Sequence, residues 1–169
     1  MKRLLFLLLL GALGAWLVRT YFIEGIYIAS ASMEPTLPKG AHYFVNKFSL
    51  RFRHPFRGEV VVFKTPQGPD KDLVKRVIAI EKDVIALQRK RVTLNYQPLS
   101  EPYVQYLRPD ILLEGDDMDA IEIPPGYVFV MGDNRDFSRD SRDWMAEDGK
   151  TRSPYVPVSA IKGILMGVE

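Results

Sequence analysis

GEVVVFKTPQGPDKDLVKRVIAI, residues 58–80, holds the two runs that decide the fold class. Glu59-Val60-Val61-Val62-Phe63 is a short apolar run bounded by Gly58 and by Thr65-Pro66, the pattern of a buried strand. Leu73-Val74-Lys75-Arg76-Val77-Ile78-Ala79-Ile80 is a second β-rich run, interrupted by two cations. Working outward, Val84-Ile85-Ala86-Leu87 and Arg91-Val92-Thr93-Leu94-Asn95 read as a hairpin turning at Gln88 to Lys90. Gly126 to Met131 is a further strand, ended by Gly132-Asp133-Asn134; His42 starts another, and Ile161 to Val168 supplies the last. Twelve prolines and twelve glycines are spread along the chain, which suits many short strands and turns. Ser100 to Asp119 has mixed polarity without a period and reads as connecting structure. The expected fold is mainly β.

The chain has 169 residues, room for one compact domain plus an anchor, and 47% are hydrophobic, enough for a core and too many for a disordered chain. A net charge of +2 is too small to argue for nucleic acid. Arg51, Arg53 and Arg57, and again Arg89, Lys90 and Arg91, read as solvated loops or hairpin tips, or as a patch for anionic headgroups if the chain sits at a bilayer. With no cysteine, disulfides, zinc–thiolate sites and a thiol nucleophile are excluded.

Met1-Lys2-Arg3 precedes an unbroken apolar and glycine run from Leu4 to Val18; after Arg19-Thr20, the apolar character resumes in Tyr21-Phe22-Ile23. A secretory signal peptide starts the same way, but no small-x-small site follows the run directly, and the whole segment is about the length of a membrane span. The expectation is an uncleaved anchor over residues 1–23, with the N-terminus cytoplasmic because the basic residues precede the span. Residues 24–169 would form an extracytoplasmic β-rich domain.

Three constellations could carry chemistry. Ser30-Ala31-Ser32-Met33-Glu34-Pro35-Thr36-Leu37 is either a structural turn or the seat of a nucleophile. Lys75 either points to solvent or is a desolvated amine whose lowered pKa lets it take a proton from a hydroxyl, with Arg76 on the opposite face. Gly132 to Arg142, with its alternating acids and arginines, is either an exposed loop or a buried network that positions something. His42 and His54 lie in unsuitable contexts for a Ser-His pair, and there is no Gly-x-Ser-x-Gly elbow, metal-ligand spacing, phosphate loop or dinucleotide fingerprint.

Behind an N-terminal anchor, these motifs, together with Gly58-Glu59-Val60-Val61-Val62-Phe63, occur in an order that resembles bacterial type I signal peptidase, the leader peptidase family. The resemblance implies an antiparallel β catalytic domain with a Ser/Lys dyad and no cofactor or metal. Ser32 matches the nucleophile and Lys75 the general base. Ser30 matches the serine that joins the Ser32 N–H in the oxyanion hole, and Ser138 the serine that orients the lysine. Asp140 and Arg142 match a supporting ion pair, and Asp133 and Arg76 a second. Ile28, Met33, Leu37, Val62 and Val74 match the lining of shallow pockets for small side chains. The implied partners are signal-peptide-bearing preproteins and the lipid bilayer of a bacterial inner membrane, and the family's inserted second domain would be a small subdomain around 82–125. Phe48, Phe52 and Phe56, interleaved with arginines, either dip into the interface or belong to a packed hairpin. Ala31, Lys82 and Phe137 depart from residues common in the family, and Met145 to Pro154 suggests an extra loop. Two alternatives stand beside this reading: a dedicated peptidase of the same chemistry that matures one pilin-like or conjugation-system substrate, and a non-catalytic anchored β-domain.

Overall fold

The computed structural model describes residues 2–65, 71–146 and 152–168. The chain begins with α1 (Lys2–Tyr21), whose 20 residues span about 30 Å at 1.5 Å per residue. From Leu4 to Leu17 its residues are apolar or glycine and exposed, and with a mean hydropathy of 1.8 the helix is a candidate membrane span by length and composition.

Eleven strands follow among the described residues. The order β1 (Ile23–Tyr27), β2 (His42–Asn46), β11 (Ile161–Leu165), β3 (Val60–Lys64), β4 (Asp72–Ala79), β9 (Tyr127–Met131) and β10 (Val156–Pro157) makes one seven-stranded sheet. A smaller sheet runs β7 (Gln97–Pro98), β6 (Arg91–Leu94), β5 (Val84–Gln88) and β8 (Met118–Glu122). Every neighbouring pair of strands is antiparallel.

The centre of the large sheet is buried on both faces, which is why β3 reads as a continuous apolar run, whereas β1 and β2 are half-exposed. Val61 and Phe63 pack with Val77, Val130 and Trp144, the indole lying edge-on to the Phe63 ring at 5.9 Å between centroids. Val60 and Val62 face the other way, onto Ile28, Met33, Leu37 and Leu165. A third cluster, with Ile78, Phe129 and Met131 from the large sheet and Ile85, Leu87, Val92 and Leu94 from the small one, joins the two sheets. Each such fully buried side chain contributes about 1.5–3 kcal/mol.

Some elements differ from the sequence expectation. The stretch after Phe22, to which the sequence reading assigns no element, is strand β1, paired along its length with β2. The supposed connecting segment from Ser100 to Asp119 runs into strand β8, whose pattern of half-exposed residues lacks the apolar alternation that would have announced it. Lys90 is no solvated tip: it is buried at 6% exposure. Arg53 and Arg57 are spent on ion pairs with Glu59 and Asp83. The extra loop expected between Met145 and Pro154 centres on residues outside those described.

β11 reaches both β2 and β3, and Gly163 sits at the irregular step in its register with β3. A Cβ there would lie 2.5 Å from Val45 Cγ1 and 2.6 Å from the Asn46 carbonyl oxygen. Gly163→Ala is therefore expected to destabilise the protein by about 1–3 kcal/mol, read as a lower denaturant midpoint with an unchanged slope in detergent-solubilised protein.

Candidate active site

The Ser30–Leu37 stretch folds as a turn because Met33 and Leu37, 1% and 0% exposed, plug into the apolar cluster on one face of the large sheet. The Leu37 amide donates to the Met33 carbonyl (2.8 Å), closing the turn. The loop after β9 clamps it from the side. The Asn134 amide donates to the Ser32 carbonyl at 3.1 Å, its side-chain Nδ2 donates to the Ala31 carbonyl at 3.2 Å, and the Thr36 hydroxyl donates to Asp133 at 2.5 Å. Gly132 makes the approach sterically feasible: a Cβ there would stand 2.4 Å from the Ser32 carbonyl oxygen and 2.2 Å from Ser138 Oγ.

Strand alternation puts Leu73, Lys75 and Val77 on one face of β4 and Val74, Arg76 and Ile78 on the other. The cluster memberships agree: Leu73 and Val77 pack with Trp144, Val74 with Met33, and Ile78 with the small sheet. Lys75 lies opposite Val61 in the register and is 3% exposed. Its Nζ donates to Ser32 Oγ at 2.7 Å, and the Ser30 hydroxyl lies 3.2 Å from the same oxygen. Burial pushes the Lys75 amine down from 10.5 to about 8; Asp140 and, more weakly, Asp133 and Asp143 pull it back up, while Arg142 lowers it further.

The two ion pairs are formed. Arg142 Nε donates to Asp140 Oδ1 at 2.9 Å, and Arg76 donates to both oxygens of Asp133 at 3.0 and 2.8 Å. Arg76 also donates to the Gly58 carbonyl and lies over the Tyr103 ring. Burial alone would raise Asp140, but the Arg142 charge and the bonds from Arg142, Ser138 and Gly132 hold its carboxyl below the usual range. The Ser138 hydroxyl donates its proton to Asp140 at 2.6 Å, so its bond goes to the carboxylate rather than to the lysine.

A cavity of about 90 Å³ opens beside the pair, lined among others by Ile28, Ala29, Met33, Val74 and Asp72. Leu37 and Val62 are in the same apolar cluster, in the layer behind this lining. β9 pairs with β4 only from Arg76 onward, so among the described residues the Asp72–Lys75 half of β4 is laddered on one edge alone, to β3. Sequence reasoning assigned nothing to Thr36, Asn134 or Tyr103. Asn134 was in view within the motif that ends β9, whereas Tyr103 comes from a stretch without periodicity and carried no signal.

A family model described as "Signal peptidase, peptidase S26" matches residues 1–167. A probable signal peptidase I-1 of Synechocystis sp. is 38% identical over 145 residues, covering 82% of this chain and 71% of the relative. Signal peptidase I of Aquifex aeolicus is 31% identical, covering 83% of this chain and 75% of the relative. Signal peptidase I V of Bacillus subtilis is 36% identical, covering 72% and 73%. The crystal structure of a signal peptidase I from Enterococcus faecalis V583 superposes with a TM-score of 0.52 at 22% identity, covering 68% of this chain and 98% of that one, which is a likeness of fold. With the family model spanning nearly the whole chain and relatives above 30% identity across most of both lengths, this protein belongs to the signal peptidase I family, peptidase S26.

Proposed function

We propose that the protein is a membrane-anchored serine endopeptidase that removes signal peptides from exported preproteins, with Ser32 as nucleophile and Lys75 as general base. The observation that carries this reading is the 2.7 Å contact between Lys75 Nζ and Ser32 Oγ within a buried pocket. With its pKa near 8, the amine has a substantial neutral fraction in mildly alkaline medium. Neutral Lys75 then accepts the hydroxyl proton as Ser32 Oγ bonds to the scissile carbonyl carbon. The oxyanion is stabilised by the Ser32 N–H and the Ser30 hydroxyl, which turns from Ser32 Oγ toward the new charge. The Lys75 ammonium returns its proton to the leaving amine, leaving an acyl-enzyme. Water, deprotonated by Lys75, releases the signal peptide and restores Ser32.

Asp140, Arg142 and Ser138 support the lysine, and Asp133 and Arg76 hold the turn that carries Ser32. The open edge of β4 at Asp72–Val74 suits an extended substrate, whose small side chains enter the cavity lined by Ile28, Met33 and Val74. A space of about 90 Å³ excludes bulky side chains rather than attracting small ones strongly. In this reading α1 spans a bacterial inner membrane with its N-terminus cytoplasmic, and the β domain faces outward as a unit from residue 24, with the small sheet as an inserted subdomain.

Three outcomes are expected from the detergent-solubilised enzyme and a preprotein with an Ala-x-Ala site. Ser32→Ala and Lys75→Ala each lose at least about a thousandfold in kcat/KM; cleavage that survives Lys75→Ala removes the lysine from the mechanism. In wild type, kcat/KM rises about tenfold per pH unit up to a limb near pH 8, because only the neutral amine is active; a limb near pH 5 would point to a carboxylate instead. Finally, Ile28→Ala and Val74→Ala deepen the pocket, so a substrate with leucine before the cleaved bond gains about tenfold relative to alanine, measured by competing the two substrates.

A further inference from the structure

The hairpin joining β5 and β6 turns on Arg89 (φ 46°) and Lys90 (φ 70°), both left-handed. Asn-Gly or Asp-Gly is the low-strain choice for two such residues, and an Arg-Lys pair persists there only when its surroundings over-determine it. Those surroundings are polar and buried. Lys90 Nζ donates to Asp136 Oδ1 (2.6 Å) and to the Arg108 carbonyl (2.7 Å), and stands 3.8 Å from Asp116 Oδ2. The Lys90 amide donates to the Asp116 carbonyl at 3.0 Å.

Asp116, fully buried, reaches across to the loop after β9. Its Oδ1 accepts from Arg142 Nη1 at 3.0 Å, while its Oδ2 accepts from the Leu113 amide at 2.7 Å. The approach is close by construction: Gly115 has φ +87°, and a Cβ there would stand 2.7 Å from Arg142 Cβ. Arg142 in turn clasps both oxygens of Asp140, and Asp140 receives the Ser138 hydroxyl and the Gly132 amide. A continuous chain of buried contacts thus runs from the small sheet to the residues that flank the nucleophile.

We infer that Asp116, backed by Lys90, is a positioning residue for the reaction: it holds Arg142 on Asp140 and so fixes the Ser138 hydroxyl and the charges that Lys75 faces. The inference rests on Lys75 as the general base. The groups facing Lys75 are Asp140, Arg142 and Asp143 from the loop after β9, Asp133 at the end of β9, Asp72 at the cavity mouth, and the Ser30 and Ser32 hydroxyls of the turn; β3 offers only Val61 opposite. Asp116 is one shell out, and its carboxylate offsets part of the Arg142 charge. Removing that negative charge leaves Arg142 more strongly positive toward Lys75, which disfavours the ammonium and moves the acid limb of activity to lower pH.

The experiment is a kcat/KM against pH profile for the full-length enzyme in detergent, with an Ala-x-Ala preprotein, for wild type, Asp116→Asn, Asp116→Ala and Lys75→Ala. Asp116→Asn keeps the shape and an acceptor for Arg142, and its acid limb is expected at lower pH than that of wild type by about half a unit. Asp116→Ala frees Arg142 and is expected to lower kcat about tenfold with KM changed less than twofold. An Asp116→Asn profile superimposed on wild type overturns the inference, and does so even if Asp116→Ala fails to fold. An Asp116→Ala enzyme with wild-type kcat per folded molecule overturns it as well. Activity in Lys75→Ala would instead sink the dyad itself, which separates failure of the base assignment from failure of the positioning role.

Discussion

An ammonium group stripped of water is the constraint around which the rest of the molecule is arranged. Lys75 sits in the middle of a strand that is buried on both faces, and Nζ has Ser32 Oγ as its hydrogen-bond partner among the described residues. The fall of its pKa from 10.5 to about 8 corresponds to about 3 kcal/mol of lost preference for the charged form. A carboxylate in direct contact would cancel that effect and return the lysine to a permanently charged state. None of the carboxylates that act on Lys75 makes that contact. Asp140 acts at a distance and is itself held by Arg142, so the lysine is surrounded by charge that is largely neutralised before it reaches Nζ.

That arrangement has a cost, because the neutralising groups are buried too. Arg76, Asp133, Asp140, Arg142 and Asp116 are each 3% exposed or less. Buried ion pairs of this kind contribute little net stability, yet breaking one by removing a single partner costs about 3–5 kcal/mol. They are best understood as devices of specificity. Each arginine makes several bonds with fixed geometry: Arg76 to Asp133 and to the Gly58 carbonyl, Arg142 to Asp140, Asp116 and the Arg135 carbonyl. The loop after β9 has little apolar content of its own, and these forks give it one conformation. The same loop then fixes Ser32 through Asn134 and Gly132, so the position of Ser32 is set by the ion-pair network as much as by the apolar plugs beneath it.

Much of the large sheet was legible because burial on both faces writes a simple signal. Val60 to Phe63 and Val128 to Met131 are apolar at every position, and a cation inside such a run, Lys75, stands out against it. The residues of the site could be picked out by resemblance, but composition alone left the Gly132–Arg142 loop undecided, since the same acids and arginines suit an exposed loop. What was lost was structure whose stability is tertiary. β1 and β8 carry half-exposed patterns that become strands only when β2 and β5 supply their hydrogen bonds. Lys90 escapes a sequence reading for the same reason. A lysine between two arginines in a hairpin turn looks solvated, and only Asp136 and Asp116, 46 and 26 residues further along the chain, make a buried site for it.

The route from the helix to Ser32 gives β1 a reason to be a strand rather than a tether. α1 ends at Tyr21, β1 begins at Ile23, and Ser32 follows five residues after β1 ends. A flexible linker of about ten residues would leave the distance between helix and domain to vary around a root-mean-square span of about 18 Å. Instead β1 is laddered to β2, and the junction is packed: the Phe22 ring stacks on Phe48 at 5.0 Å, Phe48 meets Phe52 at 4.9 Å, and the Arg51 guanidinium lies over the Tyr21 ring. Those contacts tie the end of the candidate span to the sheet that carries the site. An extended strand of five residues rises about 16 Å, so β1 and the five residues after it bound how far Ser32 can stand from the end of the apolar helix. A substrate that is itself an apolar helix followed by an extended segment would present its scissile bond over the same short range. A site held close to the end of an apolar helix meets such a segment with a shorter search, and the effective concentration gained is one that a freely swinging domain would forfeit.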